Sequence, residues 1–287
     1  MAAAAAVIGA AAGCSSGPAP APPPSSAPYP VTSPFTPAPG PGAVTWMLTR
    51  QALAQMLSDP AARSRLGRSQ VYELLQPGQQ PLGGVRTPLV VTFPSVGELR
   101  SALAGHTLPA GTRAVLYDPE AWSFTPPGEQ RDPVRAAAQA AELAHARGLK
   151  LIAAPALNLT TVMDPGGSRS RWRSYLNLGL ARSMARVADV VELQAQSLER
   201  SPATYSAFVR QAAAQARAAN PRVTVLAGLS TNPPGAPVAS HQLAAAYQAT
   251  RPEVDGFWLN IPGQGARCPT CNPARPDLGV KVLTTAL

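Results

Sequence analysis

Val190-Val191-Glu192-Leu193-Gln194-Ala195-Gln196 reads in strict alternation. Successive side chains of an extended strand point to opposite sides. Val191, Leu193 and Ala195 therefore share one face, and Glu192, Gln194 and Gln196 share the other. A parallel strand in a layered α/β protein is ordinarily apolar on both faces. Here one face suits packing beneath helices, while the other carries an acid and two amides. Buried polar groups are costly unless they bond to each other, to water or to a ligand. The inward face of a closed barrel offers that setting. Two other stretches repeat the pattern. Phe257, Leu259 and Ile261 share a face, with Trp258 and Asn260 opposite. In residues 223–232 the face carrying Gly228, Ser230 and Asn232 turns small and polar toward its C-terminal end.

Outward from these strands, short apolar runs alternate with longer helical patterns, the mark of β/α units. Strands are predicted at 44–48, 88–93, 114–118, 149–154, 190–196, 223–229 and 256–261. An eighth at 70–74 reads equally well as helix. Helices are predicted at 133–147, 172–187, 203–219 and 238–250, with a short one at 95–103 and a closing one at 277–287. Seven or eight units in residues 43–287 fit a (β/α)8 TIM-type barrel, complete or one unit short. The alternative is an open doubly wound sheet. Against it, neither G-x-G-x-x-G nor G-x-x-x-x-G-K-[ST] follows any strand, so no phosphate-binding cofactor is expected.

The chain has 287 residues, of which 45% are hydrophobic and 14% charged, enough for one sizeable domain with appendages. Its net charge of +9 is almost all arginine, with Lys150 and Lys281 the only lysines. The arginines are scattered rather than striped, and no nucleic-acid-binding motif accompanies them, so no nucleic acid is expected as a partner. Residues 2–12 form an apolar run of signal-segment length, too short to span a bilayer. It leads into Ala11-Ala12-Gly13-Cys14, which resembles the lipobox of bacterial lipoproteins, although no Lys or Arg precedes it and Ala11 stands where Leu is usual. The resemblance implies a signal segment at 1–14, lipidation at Cys14 and export, with the protein held at the cell membrane or released outside the cell. Residues 15–42 are rich in Pro, Ser and Gly and are expected to form an extended polyproline tether. A monomer is expected, touching the membrane only through its anchor.

Val115-Leu116-Tyr117-Asp118-Pro119-Glu120-Ala121-Trp122 carries the strongest chemical signal. Asp118 and Glu120 lie two apart at the end of a predicted strand, so both face one way if the chain stays extended. Tyr117 has the opposite parity and should pack under a helix. In a parallel barrel that strand end is where catalytic groups sit. Two carboxyls in different environments are what glycosidic-bond hydrolysis requires. Glu192, arriving from another strand on the inner face, is the second candidate carboxylate. A Glu192 walled off from solvent would sink hydrolysis by Glu120, Asp118 and Glu192 acting together. The structural alternatives are a turn-capping Asp118, an exposed Glu120 and a Glu192 hydrogen-bonded with Gln194. Trp122 and Trp258 are candidates for stacking on sugar rings. Asn158, Gln194, Gln196, Ser230 and Asn260 are candidates for bonding hydroxyls. The long connections 122–132 and 262–276 follow strand ends, where active-site loops of a barrel belong.

The set resembles the (β/α)8 glycoside-hydrolase superfamily. Chitinase-like barrels also carry D-x-E at one strand end and a tryptophan on the last strand. The resemblance implies Glu120 as proton donor and Asp118 as its orienting partner, with a carbohydrate as ligand. The fuller D-x-x-D-x-D-x-E series is absent, since Arg113, Ala114 and Leu116 hold the preceding positions. A non-catalytic envelope lipoprotein that keeps a ligand cleft is the alternative. Cys268-Pro269-Thr270-Cys271 reads as a loop-stapling disulfide in an oxidising compartment. With no second Cys/His pair beside it, no metal site is expected.

Overall fold

The computed structural model describes residues 33–233, 237–265, 268–269 and 271–285. Eight parallel strands close into a barrel: β1 (Thr45–Thr49), β2 (Gln70–Leu75), β3 (Leu89–Phe93), β4 (Thr112–Tyr117), β5 (Lys150–Ala153), β6 (Val190–Leu193), β7 (Thr224–Ser230) and β8 (Gly256–Asn260). They follow sequence order around the ring. The last pairs with the first through Thr45↔Gly256 and Met47↔Trp258, which excludes the open-sheet alternative. A helix follows every strand except β2, which connects to β3 directly, and the helices cover the outside.

The core has two layers, set by strand parity. Outward residues such as Val71, Val91, Val115, Val191 and Phe257 pack with the helices. Inward residues form a smaller cluster in the lumen, with Met47, Leu74, Val90, Leu116, Ile152 and Trp258 among its members. The helix Pro133–His145 shows why the outer elements form where they do. Asp132 accepts from the Arg135 amide at 3.1 Å, proline follows at the first turn, and Ala136, Ala137, Ala140, Ala141 and Ala144 make one buried stripe. Small residues on that stripe let the helix sit close against the barrel.

Three local expectations change. The ambiguous segment at 70–74 is β2, laddered to β1 along its length and to β3 from Glu73 onward. Glu73 is an acid on the outward face of this strand. That acid is buried there and accepts from the Leu82 amide at 2.7 Å. The single helix expected at 172–187 is two, Arg171–Asn177 and Leu180–Ala185. Gly179 sits between them at φ 63°, a left-handed conformation that ends one helix and redirects the next. Residues 33–42, read as part of the tether, lie against the barrel. Phe35 is buried and exchanges backbone hydrogen bonds with Gly84 and Arg86 at 2.8 and 2.9 Å. The apolar run at 2–12 and Cys14 fall outside the described residues. No helix among the described residues is long and apolar enough to cross a membrane.

Candidate functional site

The C-terminal ends of β4 to β8 surround a cleft of about 380 Å³. The chain stays paired beyond the end of β4. The Asp118 amide donates to Phe93 at 2.9 Å, and the Ala156 amide donates to the Pro119 carbonyl at 3.1 Å. Asp118 and Glu120 are therefore carried out on the lumen side, in line with Leu116. Tyr117 packs under the helices as its parity predicts, and its hydroxyl donates to Glu129 at 2.9 Å.

The two acids of β4 meet different surroundings. Glu120 is half-buried and lines the cleft. The Asn158 amide donates to its carboxylate at 3.1 Å, while the same side chain accepts from the Ala121 amide at 2.9 Å. One asparagine thus fixes both the acid and the backbone after it. Asp118 is buried below and accepts from the Gln194 side chain, which also donates to the Ala154 carbonyl at 2.9 Å.

Glu192 lies deeper still. It is fully buried, does not line the cleft, and neither carboxyl oxygen has a hydrogen-bond partner among the described residues. Burial pushes its pKa well above the ordinary range, and the charges of Asp118 and Glu120 push the same way. An unpaired buried carboxylate would be very costly, so the group stays protonated. The sequence placed Glu192 on the correct face, but it is a neutral acid beneath the cleft floor rather than a second carboxylate facing the ligand space.

Gln194, Gln196, Ser230, Trp258 and Asn260 all line the cleft with Glu120 and Asn158. Gly228 makes room for Gln196, whose amide group lies about 2.3 Å from where a Cβ would stand. The Trp258 indole nitrogen and the Gln196 side-chain oxygen are buried without partners among the described residues. Trp122 is not brought to the cleft. Its indole nitrogen donates to Thr125 at 2.9 Å, and its ring stands edge-on to Phe124 with centroids 5.1 Å apart. Cys268 and Cys271 form the expected disulfide on the cleft wall. No group of His, Cys, Asp or Glu among the described residues is placed to hold a metal.

Two features were not foreseen. Arg171, Trp172 and Leu157 line the cleft from the connection after β5, which carries no motif. Glu199, beyond β6, is fully buried and accepts from the Ser197 amide at 2.7 Å and the Ser230 amide at 2.8 Å. Burial raises its pKa to about 7 against the pull of those amides. It ties together two stretches of the cleft wall, and the sequence signal was only an acid shortly after a polar strand.

Among solved structures the chain resembles a putative alpha-L-fucosidase from Bacteroides thetaiotaomicron, at 9% identity over 86% of this chain and 95% of that one, with a TM-score of 0.50. A sugar phosphate isomerase/epimerase from Parabacteroides distasonis matches at 11% over 88% and 96%, TM-score 0.45. A chitinase from Chromobacterium violaceum matches at 11% over 85% and 100%, TM-score 0.44. The likeness is one of fold. No protein-family model matches the sequence, and no curated protein matches it. Barrels of this kind host many unrelated chemistries, so function must be argued from the cleft.

Proposed function

We propose that the cleft at the C-terminal mouth is a carbohydrate site and that Glu120 is its proton donor. The observation that carries this is the position of Glu120. Of the three clustered acids it alone lines the cleft, and it is held there by Asn158. Around it stand groups suited to a sugar. Trp258 and Trp172 offer aromatic surface, while Gln194, Gln196, Ser230 and Asn260 offer hydroxyl partners. Asp118 is a positioning residue in this reading. It lies below Glu120 and is itself held by the Gln194 side chain.

Binding without cleavage is the second reading, and one observation favours it. The usual hydrolytic arrangement needs a second carboxylate facing the bond, to attack it or to activate water. Asp118 is engaged by Gln194, and Glu192 lies out of reach of the cleft.

A panel of glycans tested for both binding and hydrolysis with wild type and Glu120→Gln separates the readings. Proton donation predicts a loss of hydrolysis of about 10²-fold or more, with binding retained. Binding by both proteins without hydrolysis by either supports the second reading. Failure of every glycan to bind the wild type sinks both.

A further inference from the structure

The opposite mouth of the barrel, where the strands begin, holds a second cavity of about 390 Å³. Its inner wall is apolar. Met47, Ile152 and Leu226 from the lumen cluster line it and are buried. Its rim is cationic. Lys150 opens β5, and Arg113 precedes Ala114, the residue paired in register with Lys150. The two positive side chains thus come from adjacent positions on neighbouring strands. Both are exposed, and among the described residues neither has an ion-pair partner. No carboxylate lines this cavity. The Tyr72 hydroxyl adds a neutral donor, and burial raises its pKa further above the neutral range.

Two unpaired cations above an apolar wall select a particular ligand chemistry. A sugar phosphate or a free inorganic anion would satisfy the rim but gain nothing from the wall. A neutral hydrocarbon would leave both cations without a counter-charge. An anion with one charged end and an apolar tail meets both demands. The volume lies near the lower end of small-ligand sites, which run from about 300 to 1,000 Å³, and so suits a tail of moderate length. Residues 1–49 of the sequence carry no acid, so the stretch leading into β1 offers the rim no carboxylate.

We propose that the N-terminal mouth of the barrel binds a medium-chain fatty carboxylate, with its head on Lys150 and Arg113 and its tail against Met47, Ile152 and Leu226. The site is separate from the sugar cleft and does not depend on the reading of that cleft.

Calorimetric titration of the full chain with decanoate, below its micelle concentration, tests the assignment. One saturable site is expected. Decanol, which keeps the tail without the charge, should bind at least tenfold more weakly, and so should acetate, which keeps the charge without the tail. Lys150→Ala combined with Arg113→Ala should weaken decanoate at least tenfold while leaving the circular-dichroism spectrum and melting temperature unchanged, since both side chains are exposed. Lys150→Glu should weaken it further. Decanol binding as tightly as decanoate, uptake that does not saturate, or a double variant with wild-type affinity would each overturn the proposal.

Discussion

The two mouths of this barrel are framed by the same eight strands, yet their chemistry is opposite. At the C-terminal mouth the inward positions are Glu120, Gln194, Gln196, Ser230 and Asn260, at or just past the ends of β4 and β6 to β8. At the N-terminal mouth the inward surface is Met47, Ile152, Val190 and Leu226 beneath a cationic rim. Strand alternation governs both ends equally, so it cannot create the difference. The difference comes from where along each strand the polar residues are placed. A barrel core must be apolar somewhere to fold, and this one keeps its apolar layers low and its polar groups high. Glu192 sits at the boundary and survives there only as a neutral acid.

Breaking the boundary from the cleft side should give the largest effect. Trp258 is 8% exposed, belongs to the lumen cluster and also lines the cleft. Trp258→Ala should cost about 3–5 kcal/mol of stability in urea unfolding and, if the cleft is the proposed glycan site, abolish glycan binding. A loss below about 1 kcal/mol would mean the upper layer contributes little to the core.

A smaller effect comes from acidity in the cleft wall. The folded pKa of Glu199 is about 7, raised from an ordinary 4.5, so the folded state holds this proton more tightly than the unfolded chain does. The stability it contributes is complete below about pH 4.5 and is lost as pH rises to about 7. Glu199→Gln should flatten the fall in melting temperature over that window. Glu192 acts in the same direction in both proteins, so the readout is the difference between their slopes. Parallel slopes would remove Glu199 as the source.

The smallest effect should follow from Gly228→Ala. The new methyl would displace the end of the flexible Gln196 side chain rather than backbone, so stability should fall by about 1 kcal/mol or less, the low end of the cost of overpacking. Gln196 would be pushed toward the cleft, and the affinity for any glycan that binds in the proposed panel should fall severalfold. Unchanged affinity would show that the ligand does not use this part of the floor.

The sequence was most legible where one property varied with period two. Val191, Leu193 and Ala195 against Glu192, Gln194 and Gln196 indicated which side faced the lumen, and the closed barrel follows from that. Alternation reports side but not depth. Glu192 and Gln194 are neighbours on one face, yet the first is sealed and the second lines the cleft. Depth depends on register and strand tilt, which are settled by partners far along the chain. Trp122 was misplaced for a related reason. It follows the acidic strand, but Thr125 and Phe124 turn its ring away within the same loop. Arg171 and Trp172 carried no signal, because a helix start that happens to meet a cleft looks like any other helix start.

The loop after β4 is laced by single side chains. The Thr125 hydroxyl receives the Glu120 amide at 3.1 Å and the Trp122 indole at 2.9 Å, and donates to the Pro94 carbonyl at 2.9 Å. Glu129 accepts from Tyr117 and from the Val96 amide, anchoring the far end of the loop to the preceding unit of the barrel. The conformational freedom of Glu120 is thereby lost at folding, before any ligand arrives. Encounter then approaches the docking of two preformed surfaces. Differences in affinity among related sugars should accordingly appear in how long each stays, not in how quickly it arrives.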